Sequence, residues 1–260
     1  MRRNEFFWGG ALIVVGVLLL LGILFQVNVW ALIGPLFLIA LGVWVIWGIY
    51  RRPAAAPAES AAVPLEGAGR ARIKVHHGAG RLVIGAGAEA GNLLDGNFAG
   101  GLRVQARHEQ DQLEVELHPG RTWGPWVVGT PGLAWNLRLN PDVPLSLKLE
   151  TGGNEALLDL TELQVQELRL STGASSTEVL LPAHAGVTMV KVGAGVATVR
   201  LRVPEGVAAR FKFEGGLATA NVDTNRFPRV GKAYCSPDYD TATNKVEIKV
   251  EAGVGSVDLR

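Results

Sequence analysis

Glycine returns along the second half of the chain with a period that few folds accommodate. Gly152, Gly173, Gly193 and Gly215 follow one another at intervals of 21, 20 and 22 residues. Each closes a stretch of alternating apolar and polar residues and opens another: LETGGNEALLDL, LSTGASSTEVLL, VKVGAGVATVRL and KFEGGLATANVD. Period-two alternation marks half-buried strands. A repeat of about 20 residues, with two short strands and a glycine turn in each, is the pattern of a solenoid-like β stack stabilised between neighbouring units. VHHGAGRLVI around Gly78 and EAGVGSVDLR around Gly253 read as the first and last turns of the series. The six glycines are expected to turn corners, so Gly193→Val should destabilise the domain. The alternative fold is an antiparallel β-sandwich.

The same glycines could suggest a phosphate loop, but the chemistry is missing. A dinucleotide fingerprint needs a helix N-terminus behind the glycines to present N–H groups. Gly193 and Gly195 are followed by VATVRLRV, a strand, and GAGAEAG at 85–91 has three residues where the fingerprint allows two. No cofactor is expected.

The repeat begins only at about residue 70. Before it, 6–25 and 29–50 are almost free of charge, and each is long enough at about 1.5 Å per residue to cross a hydrocarbon layer of roughly 30 Å. Residues 1–52 therefore read as a transmembrane helical hairpin. Trp8, Trp30, Trp44, Trp47 and Tyr50 lie near the ends of the runs, at headgroup depth. Arg2 and Arg3 precede the first run, Arg51 and Arg52 follow the second, and the connection has no Lys or Arg. The positive-inside rule then places both termini in the cytoplasm, with the protein a multi-pass membrane component. Residues 53–69, PAAAPAESAAVPLEGAG, have no apolar period and read as an Ala/Pro-rich tether. The β-repeat domain occupies 70–260.

Of 25 basic and 24 acidic residues, four arginines and one glutamate precede Pro53. The remainder is near neutral and contains no basic run, which removes the usual electrostatic basis for nucleic-acid binding. Cys235 is the single cysteine and cannot form an internal disulfide. The histidines His76, His77, His108, His118 and His184 show no HExxH spacing. His76 and His77, adjacent on a strand, should point to opposite faces. Asp238 and Asp240 begin like a calcium loop, but Thr243 and Lys249 stand where glycine and glutamate are needed. No metal site is expected. Gly-x-Ser-x-Gly and Ser-x-x-Lys are both absent, so the chain does not read as an enzyme.

HPGRTWGPWVVGTPGLAWNLRLNP, 118–141, departs from the repeat. It reads as an irregular excursion whose Trp123, Trp126 and Trp135 either form a contact for a partner or plug the stack.

FFWGGALIVVGVLLLLGI followed by WALIGPLFLIALGVWVIW resembles the membrane segment of the LiaF family of cell-envelope stress proteins. LSTGASSTEVLLP, VGAGVATVRLRVPEGV and NKVEIKVEAGVGSVDL are similar to the toast-rack β domain of that family and of adhesin-like proteins. The resemblance implies a membrane-anchored regulator that acts on a sensor kinase or another envelope-stress protein without chemistry of its own. It leaves self-association open. A structural or adhesin-like role on the outside of the cell is the alternative.

Overall fold

The computed structural model describes residues 58–120 and 133–260, with Leu38 and Gly42 as isolated helical positions. The chain divides into two compact units, Met1–Arg52 and Pro53–Arg260. No helix among the described residues is long and apolar enough to cross a membrane. The expected hairpin and its flanking Arg2, Arg3, Arg51 and Arg52 lie outside the described residues, as do Trp123 and Trp126.

The second unit is all β. Its strands are β1 (Ala58–Pro64), β2 (Arg70–Ala86), β3 (Asn92–Ala99), β4 (Leu102–Glu109), β5 (Gln112–Pro119), β6 (Ala134–Leu139), β7 (Leu145–Asp159), β8 (Val165–Leu180), β9 (Val187–Arg202), β10 (Ala208–Val222), β11 (Arg229–Val230), β12 (Ala233–Cys235) and β13 (Lys245–Leu259). Six of them are long, and they lie side by side in the order β2, β7, β8, β9, β13, β10, every pair parallel.

Geometry forces these strands to bend. Leu145 of β7 pairs with Val165 of β8, so the chain must return to its starting level between Asp159 and Val165. A straight strand of 15 residues would be about 50 Å long, whereas the five residues 160–164 reach at most about 20 Å. The strand therefore folds back near its middle. The side chains mark the place. β7 buries Leu145, Leu147, Leu149 and Thr151, then exposes Gly152 and Gly153, then buries Asn154, Ala156 and Leu158. The switch from odd to even positions keeps the inner face inward as the strand turns. β8, β9 and β13 switch in the same way. Each repeat thus has two legs around one glycine corner, and the apolar residues of both legs fill one core. The short links at the opposite corner add Leu160, Leu163, Leu181, Val203 and Val207 to it. This is a parallel, solenoid-like stack; the antiparallel sandwich is not the arrangement found.

Three features were not expected. First, β13 is last in sequence but not last in space: it sits between β9 and β10. Second, the tether expected over 53–69 is structured from Ala58 onward. β1 pairs antiparallel with β3, and Val63 is buried. Its residues are mostly small and carry no apolar–polar alternation of their own, and the partner strand supplies the order. Third, the excursion expected over 118–141 is a divided repeat. β5 pairs with the first leg of β2 and β6 with the second, so two strands share the flank that a single long strand covers elsewhere. Trp135, at the start of β6, is buried in the core.

Candidate functional site

The corner of the stack is the feature that all six long strands share. Gly78, Gly152, Gly173, Gly195, Gly253 and Gly216 occupy equivalent positions, one step beyond the paired residues His77, Thr151, Thr172, Ala194, Ala252 and Gly215. They form a column in which each carbonyl oxygen approaches the next α-carbon. A Cβ on Gly152 would overlap the carbonyl oxygen of Gly78. On Gly173, Gly195, Gly253 and Gly216 it would stand 3.1, 3.0, 2.8 and 3.2 Å from the carbonyl oxygen of the preceding glycine in the column. None of the six has a positive φ, so the requirement is close approach and not a left-handed backbone.

Two of the expected corner residues are displaced from this column. Gly193 sits opposite Ser171 and Glu251 on the straight leg, and a Cβ there would meet nothing within 4 Å. Gly215 pairs with Ala252, and its Cβ would meet the Phe213 ring. Gly195 and Gly216 hold the corner positions. Gly152, Gly173, Gly195 and Gly216 are spaced more evenly than the first glycines of each pair. The loss of stability expected for Gly193→Val does not follow from the structure.

Because the column has no side chains, it leaves a groove of about 580 Å³ along the outside of the corner, lined by His76, Gly78, Glu150, Gly152, Ser171 and Gly173 among others. Just beyond the column the outward row is apolar toward one end: Val196 pairs with Val254 and Val254 with Leu217, at 61%, 43% and 82% exposure.

On the first legs the outward side chains form charged rows. Lys74, Lys148, Arg169, Lys191, Lys249 and Lys212 follow one another across six adjacent strands, a line of about 24 Å. Carboxylates in the flanking rows neutralise it. Lys74 lies 2.8 Å from Glu114 and 2.7 Å from Glu116, Lys148 2.7 Å from Glu150, Arg169 2.7 Å from Glu167 and Lys249 2.8 Å from Glu251. The hydrogen bond from Arg169 holds the Glu167 carboxyl below the usual carboxylate range, and Lys249 does the same to Glu251. The row therefore offers no net positive face to a polyanion.

A depressed folded-state pKa means stabilisation that is complete above the unfolded value of about 4.5 and lost as the pH falls through the lower folded values. Melting temperatures recorded from about pH 6 down to about pH 3 should fall, and about 0.5 M salt should shrink the fall by screening exposed pairs. Arg169→Gln should reduce the dependence on pH.

The histidines are placed as the strand period requires, with one addition from a distant segment. His77 points inward, 3% exposed, with its Nε2 3.3 Å from the carbonyl oxygen of Leu133. Burial lowers its pKa, and the Leu133 carbonyl opposes that shift. Among the described residues its Nδ1 has no hydrogen-bond partner. His76 points outward, where β5 brings His118 beside it. The two rings stack with centroids 4.5 Å apart and planes 6° from parallel. His76 Nδ1 is 3.1 Å from Glu150 Oε2, and His118 Nε2 is 3.5 Å from Glu116 Oε2. Sequence reasoning missed this cluster because it considered only neighbours in the chain, and His76 and His118 are 42 residues apart. Among the described residues, no serine, threonine or cysteine is hydrogen-bonded to a histidine.

Trp135 is not a surface contact. It is 2% exposed, packs edge-on to Phe98 at 5.3 Å and to His77 at 5.2 Å, and donates its indole N–H to the carbonyl oxygen of Ala99 at 3.3 Å. It plugs the core at the start of β6.

Against known families, the model described as the N-terminal domain of toast_rack, DUF2154, matches residues 53–202. The chain belongs to this toast-rack family. The match runs from just before β1 to the end of β9, and β13 and β10 continue the parallel stack beyond it. A candidate cell adhesion protein from Clostridium sporogenes has a similar structure, with a TM-score of 0.71 at 24% identity, over 78% of this chain and 98% of its own. At that identity the likeness is one of fold. A candidate adhesin from Bacteroides fragilis aligns over 80% of this chain and 99% of its own at 9% identity, but its TM-score of 0.33 supports nothing further. No curated protein matches the chain by sequence.

Proposed function

We propose that this toast-rack protein is a membrane-anchored, non-enzymatic interaction protein that regulates bacterial envelope-stress signalling through a membrane sensor kinase. The observation that carries the non-enzymatic part is the outer surface of the stack. Four of the six cations in its basic row pair with carboxylates, and its outward His76, His108 and His118 lie against carboxylates or a backbone carbonyl, with no nucleophile among their partners in the described residues. A rigid stack of this kind suits binding, since its side chains are fixed by backbone register. The apolar row of Val196, Val254 and Leu217 supplies the exposed contact surface that Trp135 does not. The two apolar runs before Arg51 supply the anchor, which would keep the stack at high effective concentration beside a partner in the same membrane.

A structural or adhesive role is the second reading, favoured by the fold shared with the candidate cell adhesion protein. The two readings divide on sidedness. With regulation from inside, a reporter fused after Arg260 is active when it needs the cytoplasm and silent when it needs the periplasm. The opposite pattern sinks the regulatory reading and supports the adhesive one. Recovery of a histidine kinase with the detergent-solubilised protein, and an altered stress response on deletion, are the expected functional results.

A further inference from the structure

We propose that His76, His118 and Glu116 form a binding site for a divalent transition-metal ion, with Glu150 as the group that orients His76. The ligand atoms of the three residues lie within 4.8 Å of one another. The parallel pairing of β2 with β5, which sets Val75 opposite Leu117, puts the next residue of each strand, His76 and His118, side by side on the outer face. Glu116 points to the same face two positions before His118. The site is thus built on two paired strands, where register fixes the spacing.

The donor set selects the class of ion. Two imidazoles and one carboxylate suit Zn²⁺, Co²⁺ or Ni²⁺; Ca²⁺ and Mg²⁺ prefer oxygen alone and more ligands. Glu150 sharpens the choice of donor atom. Its Oε2 lies 3.1 Å from His76 Nδ1, so an Nδ1–H bonded there leaves Nε2 as the lone-pair donor. This is the carboxylate–histidine–metal arrangement that fixes a ligand's tautomer. Glu116 has two oxygens with different partners: Oε1 accepts from Lys74 at 2.7 Å, while Oε2 faces His118 at 3.5 Å. Lys74 also has Glu114 at 2.8 Å, so its charge is held by a second carboxylate when Glu116 turns to an ion.

Binding needs a small rearrangement. Ligand atoms in a tetrahedral site with bonds of about 2.0–2.1 Å stand roughly 3.4 Å apart, closer than the present limit of 4.8 Å. Lone pairs lie in the ring plane, so the parallel imidazoles must splay toward a common point. All three side chains are half-exposed and free to rotate by that amount. The fourth position would face the groove that begins at His76 and Glu150. The ion would clip β5 to β2 at the end of the first leg, just past their last paired residues, Val75 and Leu117.

The test uses the full chain in detergent without a polyhistidine tag. Equilibrium dialysis against Zn²⁺ should retain one ion per chain. His76→Gln and His118→Gln should each weaken retention at least tenfold, while His108→Gln, on β4, should leave it unchanged. Melting curves in chelator show whether the variants remain folded. Independently of any variant, Co²⁺ added to the wild-type chain should give visible absorption bands of a nitrogen-ligated ion. Zn²⁺ retention that is equal in wild type and the His76→Gln/His118→Gln double variant overturns the proposal, as does a Co²⁺ spectrum indistinguishable from that of the aqueous ion.

Discussion

Gly152→Val should cost the stack at least about 3 kcal/mol, the upper part of the range for side chains forced into filled space. The added Cβ would overlap the Gly78 carbonyl oxygen, and that oxygen cannot retreat. Gly78 and Gly152 belong to strands hydrogen-bonded in register on both sides of the corner, so relief requires moving several backbones together. For a domain of this size the loss corresponds to a fall of roughly 6–12 °C in melting temperature. Gly193→Val is the matched control. Gly193 is exposed on the straight leg with open space at its Cβ, and a β-branched side chain fits a strand surface. That variant should stay within about 0.5 kcal/mol of wild type. Thermal denaturation of the two variants side by side decides the matter, since equal losses would mean that the column is not what holds the corner.

Trp135→Ala should be as damaging, by about 3–5 kcal/mol, the usual cost of emptying a buried aromatic site. Its ring fills the core at the start of β6, against Phe98 and His77, and its loss would remove the indole N–H that donates to the Ala99 carbonyl. Trp135→Phe keeps much of the packing and should cost less. Denaturant titration measures both. The same variants separate a plug from a contact surface: a tryptophan reserved for a partner would leave stability unchanged and reduce binding alone. The burial of Trp135 means that the instability should appear without any partner present.

Much of the architecture could be read from local pattern. Alternation in Leu145 to Leu149 and in Val246 to Val250 marks strands, and glycines at a period near 21 mark corners, because both signals arise from residues a few positions apart. The exact column was harder to read. VKVGAGVA holds two glycines, and only the pairing of Thr172 with Ala194 shows that Gly195 stands in line and Gly193 does not. KFEGGLA poses the same choice between Gly215 and Gly216. β1 is invisible for a related reason: Ala58–Pro64 has Val63 as its one large aliphatic residue and no alternation, and its order comes from β3, some 35 residues away. The histidine cluster failed to show for the same cause. His76 is adjacent in sequence to His77, which faces the core, and adjacent in space to His118, which no local window includes. Local chemistry thus announced the elements and their corners, while every feature that depends on which strands become neighbours had to come from the pairing.

The position of β13 has a consequence for how the protein is made. β10 has its parallel partner only in β13, and β9 is separated from β10 by the same strand. During synthesis the repeats from β2 to β9 can add one after another as they leave the ribosome. β10 must then wait, with its flank open, until residues 245–259 emerge and slide between it and β9. Completion is therefore a late, long-range event, the kind of step that is slow and exposes unpaired strand edges to aggregation. A chain that stopped before Lys245 would leave the facing edges of β9 and β10 without the strand that pairs with both.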